Sequence, residues 1–571
     1  MKHEIGQGLT SNGLDQTAPD KEEVTVSEKK GKIIFSKKLR RTAAEIVLGA
    51  TLFFGAGAFI AHSSIEAETP SAIPGTTSSS QETTSKFIQT RPTTEQQSPE
   101  TAETPATDTT EQDIPTINTD VVVYGNDIGG AGAIRETEET PDNVNRPNIV
   151  YIGTANCQQD PVSNGLSLED RYNLPASGFY KEFTNFIVSE YAPLKINPLQ
   201  NGKRLAYEPE KARDALNWFT QRSNVTYLSA TLVSASDQNG ESYVIVDVVG
   251  KGKVKIIPKC FVDTSVEGDL AKMLGADYKI GQDETDVFND VKGIEPPKPT
   301  AENNYITAPQ AISELLTLKV YPKRTKAPLV RNQSWPFYIK DSYNVNAYKG
   351  TINLKAFANS WSMKTALVPD STDKKWDKRE LNEVFTDDSN PTDSFDWEMG
   401  GSVERTQILT ELVTDEINKV RYLQENGYPN IGITNVSQYP YIREGVRFVG
   451  KTEYTEDDIT NGAKNEVITR EEYALSDIHD PIKGNNNTGD ATVNIPLGTI
   501  EPVGHPNLLV TSAIDCTSLA YSSAVRMQTT RADLGGVAGL IVTIAFQEGK
   551  NLQDVTYNEL EPALLQHGYK L

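Results

Sequence analysis

Three features of the sequence predict an α/β protein carried behind a membrane anchor. The run "TDVVVYG", ending at Gly125, is a continuous β-branched strand that leads into a glycine turn, a patch of small residues and a second strand, "PNIVYIG". Alternating apolar and polar residues from about 305 to 430 predict antiparallel strands inserted into that unit. Ahead of both lies a single long apolar run, "AAEIVLGATLFFGAGAFIA". The expected organisation is a basic cytoplasmic tail (1–42), a transmembrane helix (43–62), a disordered stalk (63–118), a first α/β segment (119–304), an interleaved β-rich domain (305–494) and a second α/β segment (495–571).

Taken in order, the tail concentrates Lys29, Lys30, Lys32, Lys37, Lys38, Arg40 and Arg41 ahead of the apolar run. From Ile46 to Ala61 that run carries no charge, and with its flanks it is long enough to cross a hydrocarbon core of about 30 Å. Basic residues stay on the cytoplasmic side, so the remainder of the chain is expected outside. A cleaved signal peptide, with Ala61-His62-Ser63 as the processing site, is the alternative; the polar stretch before the apolar core is long for one. Arg40-Arg41 gives a weak hint of twin-arginine export. The stalk is rich in Thr, Ser, Pro, Glu and Gln and has too few large apolar side chains to offset chain entropy.

The formal net charge of -23 over 571 residues argues against a nucleic-acid partner, which needs a concentrated basic face. Cys157, Cys260 and Cys516 are far apart and form no C-x-x-C pair, so neither a zinc site nor a redox dithiol is indicated, and no metal is expected. No second glycine fingerprint for a nicotinamide nucleotide follows the first.

The strand, turn and helix order around residue 125 suits a dinucleotide. The first glycine makes the tight turn, a small residue lets the backbone approach a pyrophosphate, and the last glycine lets helix and strand pack closely. Gly125 and Gly130 hold the outer positions of G-x-G-x-x-G, with Gly129 beside them, but Asp127 stands in the middle one. By itself the turn is equally a glycine loop after any buried strand. Asp127 either repels a phosphate there or turns away to cap the next helix.

Five ordered blocks carry a resemblance: "DVVVYGNDIGGAGA", "FVDTSVEGDLAKMLGADYKIGQD", "YIREGVRFVGKTEYTEDDI", "IPLGTIEPVGHPNLLV" and "LAYSSAVRMQTTRADLGGVAG". Together they resemble the FAD-dependent oxidoreductases of the two-dinucleotide-binding-domain type, over most of residues 119 to 551. The resemblance implies an FAD-binding Rossmann-like domain with an interleaved β-rich substrate or cap domain, FAD as cofactor, a small-molecule or carbohydrate-like substrate and an electron acceptor the sequence does not identify. Gly125, Gly129, Gly130, Asp263, Thr264, Glu267, Gly268, Asp269, Arg526, Thr530, Gly535 and Gly539 match positions lining the cofactor, with Leu534 beside them. His479, in "ALSDIHDPI", matches a family Asp-x-His pattern and is the catalytic candidate, against a loop histidine that is only hydrogen-bonded. Arg443 and Arg447 are candidates for pairing a substrate carboxylate, against ordinary salt bridges with Glu444.

The departures from the family pattern cluster near the cofactor. Besides Asp127, the second strand ends in "IVYIGTANC" without the acid that usually holds the adenosine ribose, and the first helix turns polar and meets Pro141. Ser512-Ala513 stand where Gly-Arg is common, and Leu519 where His is. A flavin-free relative kept as a surface binding or scaffolding module is therefore the second reading. "TTRADLGGVAGLIVTIAFQEG" is expected to be a helix offering amides near Gly535 and Gly536, and "ERTQILTELVTDEINKVRYLQENG" an amphipathic helix burying Ile408, Leu409, Leu412, Ile417 and Tyr422.

Overall fold

The structure is a computed structural model. It describes residues 28–29 and 32–33 and, from 114 onward, all but 139–145, 154–159, 170–173, 201–203, 239, 282–308, 351, 353–366, 382–390, 462–464 and 481–483. The chain divides into two compact units, Met1–Ala102 and Glu103–Leu571. In the first, the described residues are one short antiparallel pair, Glu28–Lys29 with Lys32–Ile33. The predicted transmembrane run 43–62 and nearly all of the stalk lie outside the described residues. In the second unit, Gln528–Glu548 is long and apolar enough to cross a membrane, but 83% of its apolar window is buried in the body, as befits a core helix.

The second unit is organised by an eight-stranded sheet. In chain order its elements are β1 (Thr116–Asn118), β2 (Val121–Tyr124), α1 (Ile128–Glu138), β3 (Ile149–Gly153), α2 (Gly178–Tyr191), α3 (Pro209–Thr220), β4 (Val225–Gln238), β5 (Glu241–Val248), β6 (Gly252–Ile257), β7 (Cys260–Asp263) and α4 (Asp269–Leu274). Its last strand, β14 (Leu508–Val510), comes from the C-terminal part of the chain. The order across the sheet is β14-β7-β2-β3-β4-β5-β6-β1. The first five strands are parallel, whereas β4, β5 and β6 form an antiparallel meander. The sheet therefore begins at Thr116, three residues inside the segment assigned to the stalk.

Side-chain alternation along β2 explains why both faces are covered. Val121 and Val123 share one hydrophobic cluster with Ile149, Tyr151, Val262 and Leu509 and with helix residues such as Ala133, Leu534 and Ala538. Val122 and Tyr124 point the other way, onto Val244, Val246, Ile256 and Leu270 of the meander and α4. A strand buried on both faces has no use for polar positions, which is why "VVVY" is apolar throughout.

The inserted part has its own antiparallel sheet of β8 (Leu316–Val320), β9 (Leu367–Asp370), β10 (Lys375–Leu381) and β11 (Ile431–Val436), in the order β9-β10-β8-β11. Against it packs α5 (Ser402–Glu425), whose Ile408, Leu409, Leu412, Ile417 and Tyr422 are buried as its periodicity predicts. The aromatic segment 333–348 is different: it was expected as strands but forms turns and a short helix, Val345–Tyr348. Its aromatics Trp335, Phe337 and Tyr338 pack half-buried on the α5 cluster, and no strand among the described residues pairs with the segment. A long hairpin, β12 (Val467–Asp480) with β13 (Gly484–Pro496), follows.

The last large elements are α6 (Gln528–Glu548) and α7 (Tyr557–Gln566). Helix α6 crosses α1 almost backbone to backbone. A side-chain carbon at Gly535 would collide with the carbonyl of Gly129, one at Gly539 with the carbonyl of Ala133, and one at Gly132 would stand 2.7 Å from the carbonyl of Ala532. Gly535 and Gly536 thus lie a full two turns inside the helix, where the sequence reading had placed free amides at its start. We expect Gly535→Val to lower unfolding free energy by about 3 kcal/mol or more, as overpacking of a closed crossing does. Denaturant unfolding checks this, and an unchanged midpoint would show that the crossing is loose.

Candidate cofactor site

Parallel pairing places the ends of β2, β3, β7 and β14 side by side: Asp263 is in register with Tyr124 and with Val510, and Tyr124 with Ile152. The turns that follow meet at this carboxyl edge, where α/β sheets bind ligands. Gly125 has φ of +115°, and a side chain on it would strike the Thr264 hydroxyl, so the turn after β2 admits only glycine. The Thr264 hydroxyl lies 3.0 and 3.2 Å from the carbonyls of Tyr124 and Gly125 and ties the two turns together.

The turn after β7 is held by Asp263. Its carboxylate accepts from the Ser265 amide at 3.0 Å, the Ser265 hydroxyl at 2.7 Å and the Ala271 amide at 2.9 Å. Gly268 has φ of +61° and lies under the ring of Phe448. Glu267 is buried and accepts from the Trp397 indole at 3.0 Å and the Tyr439 hydroxyl at 2.9 Å. Next to it, the fully buried Glu398 has no hydrogen-bond partner on either carboxyl oxygen, and burial together with the charge of Glu267 pushes its carboxyl well up. Asp269 is paired with Arg405 at 2.5 and 3.0 Å; burial works to raise its carboxyl, but Arg405 and Lys272 outweigh this and hold it below its ordinary value.

Of the C-terminal candidates, Arg526 is buried against the hydroxyl of Tyr441, with its guanidinium 5.5 Å from the Tyr473 ring centre. The Thr530 hydroxyl donates to the Ala524 carbonyl at 2.6 Å, closing the irregular turn before α6. Gly535 and Gly539 line the helix crossing. Arg443 donates to the Ser313 hydroxyl at 3.0 Å and stacks on Tyr441, 4.6 Å from the ring centre. Arg447 forms a buried salt bridge with Glu444 at 3.1 Å and donates to the Gly281 carbonyl at 2.6 Å. For Arg447 this is the salt bridge with Glu444 that the sequence offers as the alternative to a substrate carboxylate. His479 lies on β12, in register with Asn485; its side chain is outside the described residues, as is Cys157.

Asp127 caps α1: its carboxylate accepts from the Gly130 amide at 2.6 Å, the bond a helix-capping Asp makes three residues ahead. A second acid, which sequence reasoning missed, shares this helix end. Asp160 is fully buried, accepts from the Val162 amide at 2.8 Å and faces the Ile128 amide. Arg531, also missed, stands near both acids on the first turn of α6. It is buried; its Nη2 meets the Tyr521 hydroxyl at 3.2 Å and its Nε has no partner. Signals for both residues existed: Asp before Pro161 is a helix-start pair, and a cation in the first turn of a helix opposes the dipole, so it needs another reason to be there.

No curated protein matches the sequence. The family described as FAD dependent oxidoreductase matches over residues 161–564, and the chain belongs to that family. FAD is its cofactor. Among solved structures, it is similar to a geranylgeranyl bacteriochlorophyll reductase-like protein from Thermoplasma acidophilum (10% identity, 80% of this chain and 85% of that one, TM-score 0.30). It is also similar to adenylylsulfate reductase from Archaeoglobus fulgidus (11%, 80% and 74%, TM-score 0.30). The chain spans about a quarter of the length of L-proline dehydrogenase from P. horikoshii that it also matches (15% identity, 30% of this chain and 25% of that one, TM-score 0.17). The assignment rests on the family match.

The site fits FAD unevenly. The turn at Gly125 has no room for a side chain, as the tight first turn of a dinucleotide site requires. At the start of α1, by contrast, the Gly130 amide that suits a pyrophosphate already serves Asp127, and the buried Asp160 faces the same turn.

Burial pushes the Asp160 carboxyl up to about 7 in the fold, whereas an unfolded aspartate titrates near 4. Between those values the native state holds the extra proton, so this residue's contribution to stability improves as pH falls from about 7 towards 4, by at most ~1.4 kcal/mol per pH unit. Asp160→Asn keeps an acceptor for the Val162 amide and removes the titration. The stability difference between wild type and this variant should therefore shrink steadily over that range in denaturant unfolding; a constant difference would mean that Asp160 is ionised throughout.

Proposed function

We propose that this protein is a membrane-anchored, extracytoplasmic FAD-dependent oxidoreductase acting directly on a small-molecule or carbohydrate-like substrate. The observation that carries the reading is the meeting of the turns after β2 and after β7 with the first turn of α6 at one carboxyl edge of a parallel sheet, within a chain of the FAD dependent oxidoreductase family. Bound there, FAD supplies hydride chemistry, and the protein's share is to hold the cofactor, orient a substrate and place a proton. Gly125, Gly129, Gly130, Thr264, Glu267, Gly268 and Arg526 are the residues proposed to line it, with Arg443 on the substrate side and His479 as acid or base. Anchoring is supported by the basic cluster before the apolar run at 43–62.

A specific observation favours a second reading, a flavin-free surface module: Asp127 holds the Gly130 amide that a pyrophosphate would take, and the buried Asp160 faces the same helix start. Flavin content separates the two. Purified full-length protein is expected to release noncovalent FAD on heating; protein that contains no flavin after purification, and takes none up from excess FAD, supports the surface module instead.

Topology has its own test. Protease added to intact cells is expected to cut within residues 63–113 and to leave residues 1–42 protected. Cleavage of the tail with protection of 63–113 would reverse the orientation.

A further inference from the structure

The diphosphate of a dinucleotide bound at this edge would face the first turn of α1, an 11-residue helix whose start is already filled from inside the protein. The Gly130 amide donates to Asp127, and Asp160 faces the Ile128 amide. Both acids are buried, at 7% and 0% exposure, and the second oxygen of Asp160 has no hydrogen-bond partner. The groups facing the pair are Arg531 from α6, Tyr151 from β3 and Tyr207 from the segment before α3. Arg531 is the one cation among them, so two ionised acids leave this end of the helix with a net negative charge.

We propose that FAD binding here is coupled to proton uptake: Asp127 and Asp160 occupy the diphosphate's place on α1 when ionised, and the cofactor enters as their carboxyls become neutral. This rests on the reading that the FAD diphosphate lies at the turn after β2. Two ionised carboxylates at a few ångströms repel a diphosphate, whereas neutral carboxyls can donate to it, and Arg531 then faces an anion it can pair. Protons come from solvent and no bond to FAD is made or broken. Burial pushes both carboxyls up, Asp127 further by the charge of Asp160 and Asp160 to about 7, which brings the exchange into the neutral range.

The test is titration of the full-length apoprotein with FAD, ADP-ribose and riboflavin between about pH 6 and 8.5, using wild type, Asp127→Asn and Asp160→Asn. ADP-ribose carries the same kind of diphosphate diester without a flavin, and riboflavin has no phosphate. Each asparagine keeps a capping acceptor, and a thermal melt confirms folding. We expect the dissociation constants of FAD and ADP-ribose to rise with pH, by up to about tenfold per unit for each proton taken up. We expect either variant to bind both more tightly at pH 8 with a flatter profile, and riboflavin to show no trend. If the variants tighten FAD and ADP-ribose equally at pH 6 and pH 8, the diphosphate is at the turn but the coupling to protons is wrong. If FAD binds and neither variant changes its affinity at any pH, the diphosphate lies elsewhere and the proposal falls with the reading beneath it.

Discussion

The crossing of α1 and α6 is the constraint on which the rest of the body depends. The two helices are separated by roughly 400 residues of chain, yet they approach until the carbonyls of Gly129 and Ala133 fill the space that side chains at Gly535 and Gly539 would need. This contact brings the C-terminal strand β14 beside β7 and delivers the first turn of α6 to the carboxyl edge. Asp533, one turn further along α6, then accepts from the Ser177 hydroxyl and the Tyr180 amide and fixes the start of α2. The chain end is drawn in as well, with Tyr569 and His567 both bonded to Glu136 on α1.

A second theme is the density of buried acid at the carboxyl edge. Asp127, Asp160, Asp263, Glu267 and Glu398 are each no more than 7% exposed. They are kept there by different means. Asp263 has three donors, Glu267 has an indole and a phenol, and Asp127 and Asp160 have helix amides. Glu398 has none of these, which makes a neutral carboxyl its only inexpensive state. Such groups cost stability and persist where a site uses them.

Much of the fold was legible because its determinants are local. A β-branched run buried on both faces announces a central parallel strand, and the spacing of apolar residues in 404–427 announces α5. The same logic failed for 333–348, where alternation of aromatics means insertion into a helix surface and not strand pairing. It also failed at Gly535 and Gly536: α6 starts at Gln528 with no side-chain cap to mark the place, so glycines that serve a crossing were read as the helix start. Asp127 was readable as a possible cap, since that bond spans three residues. Asp160 and Arg531 were not singled out, because what gives them meaning is their approach to α1 across 30 to 400 residues of chain.

The central claim is that the three turns at the carboxyl edge form one cofactor seat. Hydrogen exchange of the full-length protein with and without FAD tests it most directly, because backbone amides at that edge change solvent access only if the cofactor lies there. The account predicts slower exchange within residues 125–131, 264–271 and 526–532 on adding FAD, with β8 to β11 little changed. Protection confined to other segments, with these three unaltered, would contradict it.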